Sequence, residues 1–326
     1  MLQEAFAPAP RRPRRIIAAM HLLIPFASAL SESATHVLRD LALPNLAQLL
    51  ARLTLVQRDD ADAFTLSPPH ERAWAAAQGW RGADGCLPFA ARAAAADGIE
   101  VGDLAWGLVT PTHWHVGRDH VTLADPAALN LTADESRDAL AAVRELFESE
   151  GFRVEWGATT RWYLAHERLS ELPCASLDRV IGRNVEVWMQ GMQDKLVRRL
   201  QSELQLLLYP HALNDEREQR GELTLNSFWL SGCGRAQPAP AEVHVNETLR
   251  EPLLMDDWAA WTQAWHALDT GDLASCLAAA RRGEPVTLTL CGDRGAHRFE
   301  STAQGLWQRV SKRWTSSEPH TLLEAL

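Results

Sequence analysis

Cysteine is scarce and unpatterned in this chain. Cys86, Cys174, Cys233, Cys276 and Cys291 make an odd number with no CxxC spacing. That excludes a disulfide framework or a zinc ribbon and suits reduced thiols in a cytoplasm. No apolar run is long enough to span a bilayer. A GxSxG elbow, a Walker loop and a GxGxxG turn are all missing, so the motifs for an activated serine, a nucleoside triphosphate or a dinucleotide are lacking. A basic excess is lacking too: the net charge is −10, whereas a broad nucleic-acid face needs positive surface. Tyrosine occurs twice against 13 tryptophans. A buried indole N–H wants an acceptor, so several Trp are expected to pack at the ends of elements.

What is present is the composition of a folded chain: 46% hydrophobic and 23% charged over 326 residues. That is enough for one large α/β domain or two ordinary ones. At the amino end, Arg11-Arg12-Pro13-Arg14-Arg15 precedes an apolar stretch ending at Ala27-Ser28-Ala29, the outline of a secretory signal. His21 and Pro25 interrupt that stretch, however. The favoured reading makes Met20 the functional start, His21–Pro25 a buried first strand, and residues 1–19 a disordered extension.

Further along, Ser31–His36 reads as a polar loop. Pro44–Leu50 reads as a helix with Pro in its first turn. Short helices are expected around Glu71–Gln78 and Phe89–Ala96, the second stopping at Asp97-Gly98. Trp106–Thr110 and Val121–Leu123 are strand candidates. Thr132 with Glu135 forms a capping box for a helix that turns Leu140, Val143 and Phe147 inward. Strands follow at Phe152–Trp156 and Thr160–Leu164, then an exposed loop at Asp178–Asn184. Lys195–Leu208 is an amphipathic helix with Leu196, Leu200, Leu204, Leu207 and Leu208 on one face. The stretch from His211 crosses a charged turn to Gly221, rises through Leu223, Leu225, Ser227 and Trp229, and ends in a glycine turn at Gly232-Cys233-Gly234. Trp258, Trp261 and Trp265 form a packing stripe on a helix over Asp257–Leu268. Val286–Gly292 is a late strand and Gln304–Arg313 a last helix. Alternating strands and helices indicate α/β architecture.

Two groups could carry chemistry. His113, His115, Asp119 and His120 form the densest set of potential metal ligands; the loop resembles the HxHxDH of metallo-β-lactamase-like hydrolases, with Gly117 and Arg118 inserted between its halves. Asn214, Arg217, Arg220 and Asn226 could frame a small oxyanion through guanidinium and amide groups. The plainer reading of each is a locally hydrogen-bonded loop and a solvated, salt-bridged turn.

The stretch HALNDEREQRGELTLNSFWLSGCGRAQP resembles a pattern in archaeal-type, 2,3-bisphosphoglycerate-independent phosphoglycerate mutases of the alkaline phosphatase superfamily. The agreement rests on His211, Asn214, Arg217, Gly221, Asn226, Trp229, Gly232 and Gly234; Ala212 replaces the family's proline. From Met20 to Ala303 the chain also resembles a bacterial group known as E-type regulators of pathogenicity factors, through THWHVGRDHVTLADP, SLDRVIGR, VRRLQSELQLLLYPH and NSFWLSG. The resemblance implies an alkaline phosphatase/phosphoglycerate mutase-like central sheet flanked by helices, with a smaller inserted α+β subdomain. Residues 20–99 and 235–326 would form the core, and 100–234 the insertion, ending in the NSFWLSGCG turn.

It further implies a ligand site at Asn214, Arg217, Asn226, Trp229, Gly232 and Gly234. Relatives hold two metal ions with carboxylates and histidines beside a Ser or Thr nucleophile. In this chain Pro25-Phe26-Ala27-Ser28 stands where the first Asp belongs, and only Asp293 and His297 stand near the late ligand motif. Two divalent cations need that acidic cradle. The expectation is therefore a regulatory or weakly catalytic cytoplasmic protein that binds a small anionic or phosphorylated metabolite. It would need no cofactor and engage neither nucleic acid nor membrane. One alternative is an active phosphohydrolase or mutase using a divalent metal (Mn, Zn or Mg); another is a protein-interaction module with a tryptophan-rich surface.

Overall fold

Every residue from Leu22 to Ile24 is apolar, a run suited to burial on both faces of a sheet. In the computed structural model, which describes residues 20–189, 195–301 and 319–326, this run lies at the heart of the molecule. The strands in chain order are β1 (Met20–Ile24), β2 (Thr54–Asp60), β3 (Ala105–Thr112), β4 (Trp114–Val116), β5 (Val121–Leu123) and β6 (Arg153–Ala158). They continue with β7 (Arg161–Ala165), β8 (Ser227–Arg235), β9 (His244–Val245), β10 (Val286–Cys291) and β11 (Gly295–Glu300). Five form a mixed sheet in the order β2-β11-β10-β1-β9, and four form an antiparallel sheet in the order β6-β7-β3-β8. β1 runs parallel to both β10 and β9, whereas β11 is antiparallel to β10 and β2. The fold is therefore α/β, with a central mixed sheet flanked by helices.

The two sheets draw on different stretches of chain. The mixed sheet takes its strands from 20–60 and 244–300, the antiparallel one from 105–235. Against the first pack Leu46, Leu49, Trp261, Trp265 and Leu277. Against the second pack Leu140, Val143, Phe147, Leu200 and Leu204. Helix Phe89–Ala96 lies on the antiparallel sheet, its Ala90, Ala91 and Ala94 packed with Trp106 and Tyr163. Small side chains let that backbone come close.

Local chemistry accounts for most boundaries. Thr132 and Glu135 form a reciprocal capping box at the start of helix Ala133–Glu148. Helix Pro44–Leu50 begins after Leu43, which cannot cap. Instead the distant Asp269 carboxylate accepts from the Leu46 N–H at 2.8 Å and the Asn45 N–H at 3.1 Å.

Four expectations are corrected. Ser31–His36 is not a loop: Ser31 caps helix Glu32–Asp40, whose Ala34 and Leu38 face inward. The charged turn after His211 is helix Ala212–Gln219. Leu207 is 46% exposed, so the inner face of helix Lys195–Leu208 excludes it. The expected loop at Asp178–Asn184 opens with a buried turn, Leu177–Val180. Residues 1–19 and the helix expected at Gln304–Arg313 lie outside the described residues.

Candidate functional site

Structure gives the residues named from the HALNDEREQRG stretch architectural partners. The Asn214 amide donates to the Leu208 and Leu225 carbonyls and accepts from the Leu225 N–H, each at 2.8 Å. Arg217 is wholly buried; its Nε donates to the Leu223 carbonyl at 2.7 Å, one Nη donates to the Leu129 carbonyl, and the other faces Glu135 at 3.1 Å. Asn226 pairs like a backbone unit with Trp114, accepting from its N–H at 2.7 Å and donating to its carbonyl at 3.0 Å. The Trp229 indole donates to the Ala175 carbonyl at 2.8 Å. These side chains lock a helix and a strand to the β4 hairpin, and of the polar atoms involved only Arg217 Nη1, facing Glu135, lacks a hydrogen-bond partner among the described residues.

The glycine turn is likewise corrected. Gly232 and Gly234 lie within β8, at a register shift where two residues oppose Gly107. Gly232 has φ +63, and a Cβ there would sit 2.9 Å from the Ala90 nitrogen; one on Gly234 would sit 3.2 Å from the Pro88 Cα. The glycines are needed for the close approach of helix Phe89–Ala96 to β8, not for holding an anion.

The histidine loop does not converge either. His113 Nδ1 lies 2.7 Å from the Thr224 carbonyl, and its ring meets that of His115 edge-on at 4.5 Å. Burial holds the His113 imidazole below its ordinary pKa. Asp119 and His120 are exposed in the loop between β4 and β5. Asp293 accepts from the Leu30 N–H at 3.1 Å, and Arg183 lies 3.7 Å from its other oxygen. His297 lies inside β11, paired opposite Arg58 and beside the Phe299 ring. Among the described residues no group of three or more His, Cys, Asp or Glu is arranged to hold a metal. The end of β1 offers Pro25, Phe26, Ala27 and Ser28, none of them a carboxylate. The residues present do not fit a two-metal centre. Among the described residues no tryptophan-lined surface forms, because none of the described tryptophans is exposed.

A different cluster occupies the C-terminal ends of the parallel strands β1 and β10. The first turn of helix Pro69–Gln78 supplies His70, Glu71 and Arg72. The buried turn Leu177–Val180 supplies Asp178 and Arg179, with Ser176 just before it. Arg250 enters from the start of helix Arg250–Leu254, and Phe26 flanks His70 with ring centroids 5.1 Å apart. Phe26 holds φ +57, a costly conformation for an aromatic residue that is typical of functional sites.

The charges here are tightly arranged. Asp178 accepts from Arg250 Nε at 2.9 Å and Nη2 at 2.6 Å, and its other oxygen lies 3.1 Å from His70 Nε2. Burial opposes its ionisation, but the His70 hydrogen bond and Arg250 prevail and lower it to about 2. Glu71 accepts from the Ser176 hydroxyl at 2.6 Å; burial dominates there and pushes it up to about 7. Neighbouring carboxylates are thus driven apart.

Arg179 and Arg72 converge on one hydroxyl. Arg179 Nη2 donates to Thr65 Oγ1 at 2.9 Å and Arg72 Nη1 donates to the same oxygen at 3.0 Å. Arg72 is paired with Asp59 at 2.9 Å. Arg179, only 3% exposed, has a backbone carbonyl of Asp293 at 3.0 Å but, among the described residues, no carboxylate in salt-bridge contact. Burial, then Arg183 and Arg72, lower its pKa to about 10. The buried Nε of Arg179 and Nη2 of Arg72 have no hydrogen-bond partner among the described residues. Two cations with unused donors, pressed together, form an acceptor-hungry site. From sequence, Arg179 sat in an expected loop; the cue was Ser176, a serine placed to open a turn ahead of Leu177-Asp178-Arg179.

No family model matches the chain, and no curated protein matches it. Among solved structures, the cofactor-independent phosphoglycerate mutase from Thermoplasma acidophilum DSM 1728 is similar, at 14% identity and a TM-score of 0.35, over 88% of this chain and 91% of that one. The PH0037 protein from Pyrococcus horikoshii is similar at 12% identity and a TM-score of 0.42, over 88% of each chain. Likeness at this level leaves every residue's role to the geometry of this chain.

Proposed function

We propose that this α/β protein binds a small phosphorylated or carboxylated metabolite at the Arg72–Arg179 pair and does so without paired metal ions. More particularly, we infer a phosphoglycerate mutase-like protein of the E-type regulator group, acting in the cytoplasm as a binding or regulatory protein. The supporting observation is the convergence of a buried guanidinium, Arg179, and a half-buried one, Arg72, on Thr65 Oγ1, with a buried, unpartnered donor left on each among the described residues. An oxyanion accepts from several such donors at once and offsets their mutual repulsion. Titration calorimetry with inorganic phosphate and 3-phosphoglycerate tests the reading. Binding is expected in the unaltered protein and is expected to be lost in Arg179→Gln. Undiminished binding in both Arg179→Gln and Arg72→Gln overturns it.

The opposed carboxylates Glu71 and Asp178 favour a second reading, turnover of a phosphorylated compound by acid–base chemistry. Phosphate release assayed with added Mn, Zn or Co separates the two. Metal-dependent turnover abolished by Asp293→Ala or His297→Ala defeats the non-catalytic reading.

A further inference from the structure

A thiol contact lies apart from the arginine cluster, on the antiparallel sheet. The Sγ atoms of Cys174 and Cys233 are 3.6 Å apart, although the residues are 59 positions apart in sequence. Both are buried. A disulfide requires that separation to shorten to about 2.0 Å, within reach of a change in side-chain rotamer where the backbone can adjust. Cys233 sits at the register shift of β8, unpaired in the ladder against β3. Cys174 lies in the irregular segment before Ser176, tied by its N–H to the Gly85 carbonyl at 3.0 Å.

Both thiols lie in the hydrophobic core between the sheet and its helices. A groove of about 710 Å³ runs along this face, lined by Pro173, Gly234, Cys86, Arg81 and Arg235. Pro173 immediately precedes Cys174 and Gly234 immediately follows Cys233, so the backbone of each cysteine joins a residue of the groove wall. Cys86 is partly exposed in the groove itself, yet burial, the Cys233 thiol, Asp84 and Glu171 all raise its pKa. It is correspondingly poor in thiolate.

We propose that Cys174 and Cys233 form an oxidation site that closes to an intramolecular disulfide when a small peroxide enters the groove. One thiolate attacks a peroxide oxygen, giving a sulfenic acid and releasing the other oxygen as water. The second thiolate then attacks the sulfenic sulfur, forming the S–S bond and expelling the hydroxyl as a second water. Two thiols and one hydrogen peroxide yield one disulfide and two waters. The bond would join β8 to the segment that carries Ser176 and Arg179.

The full chain is treated with hydrogen peroxide, alkylated and digested without reductant. The expected result is a peptide bearing Cys174 linked to one bearing Cys233, with intact mass lowered by two hydrogens and restored by a reducing agent. Cys86→Ser should keep this cross-link, and Cys174→Ser or Cys233→Ser should lose it. Three results overturn the proposal: oxidation confined to Cys86, a cross-link joining Cys86 to Cys233 instead, or no linked peptide after peroxide has modified surface methionines. The Cys86→Ser result keeps the test decisive should a buried substitution prevent folding.

Discussion

Replacing Asp178 with Asn keeps the side chain's shape and removes its charge, which makes it the sharpest probe of the cluster at the strand ends. Arg250 and His70 both contact this carboxylate, which is 16% exposed, so solvent screens it little. Lowering its pKa from 3.8 to about 2 corresponds to roughly 2.5 kcal/mol of stabilisation, at about 1.4 kcal/mol per unit. Leaving the half-buried Arg250 beside an amide adds to that, so the variant should lose about 2 to 4 kcal/mol at pH 7. The sign of the pH dependence is set by the direction of the shift. The folded pKa lies below the unfolded one, so the contribution is complete above about pH 4 and disappears as pH falls towards 2. The gap between unaltered protein and Asp178→Asn should therefore narrow by about 1 kcal/mol between pH 7 and pH 3. Urea denaturation at the two pH values measures both quantities. A loss under about 0.5 kcal/mol at pH 7, or a gap that does not narrow, would show that the ion pairs are decorative.

Three further outcomes are expected. Glu71 titrates at about 7 in the fold, so the native state favours its neutral form and stability is lost as pH rises through 7. Glu71→Gln should then be stabilising by about 2 to 3 kcal/mol at pH 8 and near neutral at pH 5. Asn214→Ala removes three backbone hydrogen bonds and should cost about 2 to 4 kcal/mol in urea, while the folded protein binds phosphate as before; selective loss of binding would return the ligand site to the HALNDEREQRG stretch. Gly232→Ala places a Cβ against the Ala90 nitrogen at φ +63 and should lower stability by about 2 to 4 kcal/mol, seen as an earlier thermal transition.

The parts legible in the sequence were those decided by neighbours along the chain. The run Leu22–Ile24, the box of Thr132 with Glu135, and the leucine spacing of helix Lys195–Leu208 each carry a local period or cap. Those patterns suffice for an α/β chain. Ser31 was missed because a polar run masked its N-cap, and Arg217 was assigned to a ligand site because a guanidinium suits an oxyanion. Only tertiary packing could show that Arg217 is a buried strut: the carbonyls it satisfies, Leu129 and Leu223, come from separate elements. The same holds for the site. His70, Glu71, Asp178, Arg179 and Arg250 come from three short segments with no common spacing, and the fold alone brings them to the ends of β1 and β10. Sequence order determines elements through short-range sterics and hydrogen bonding. The strength of a charge depends on burial and on neighbours from elsewhere in the chain, and these exist only once the chain has folded.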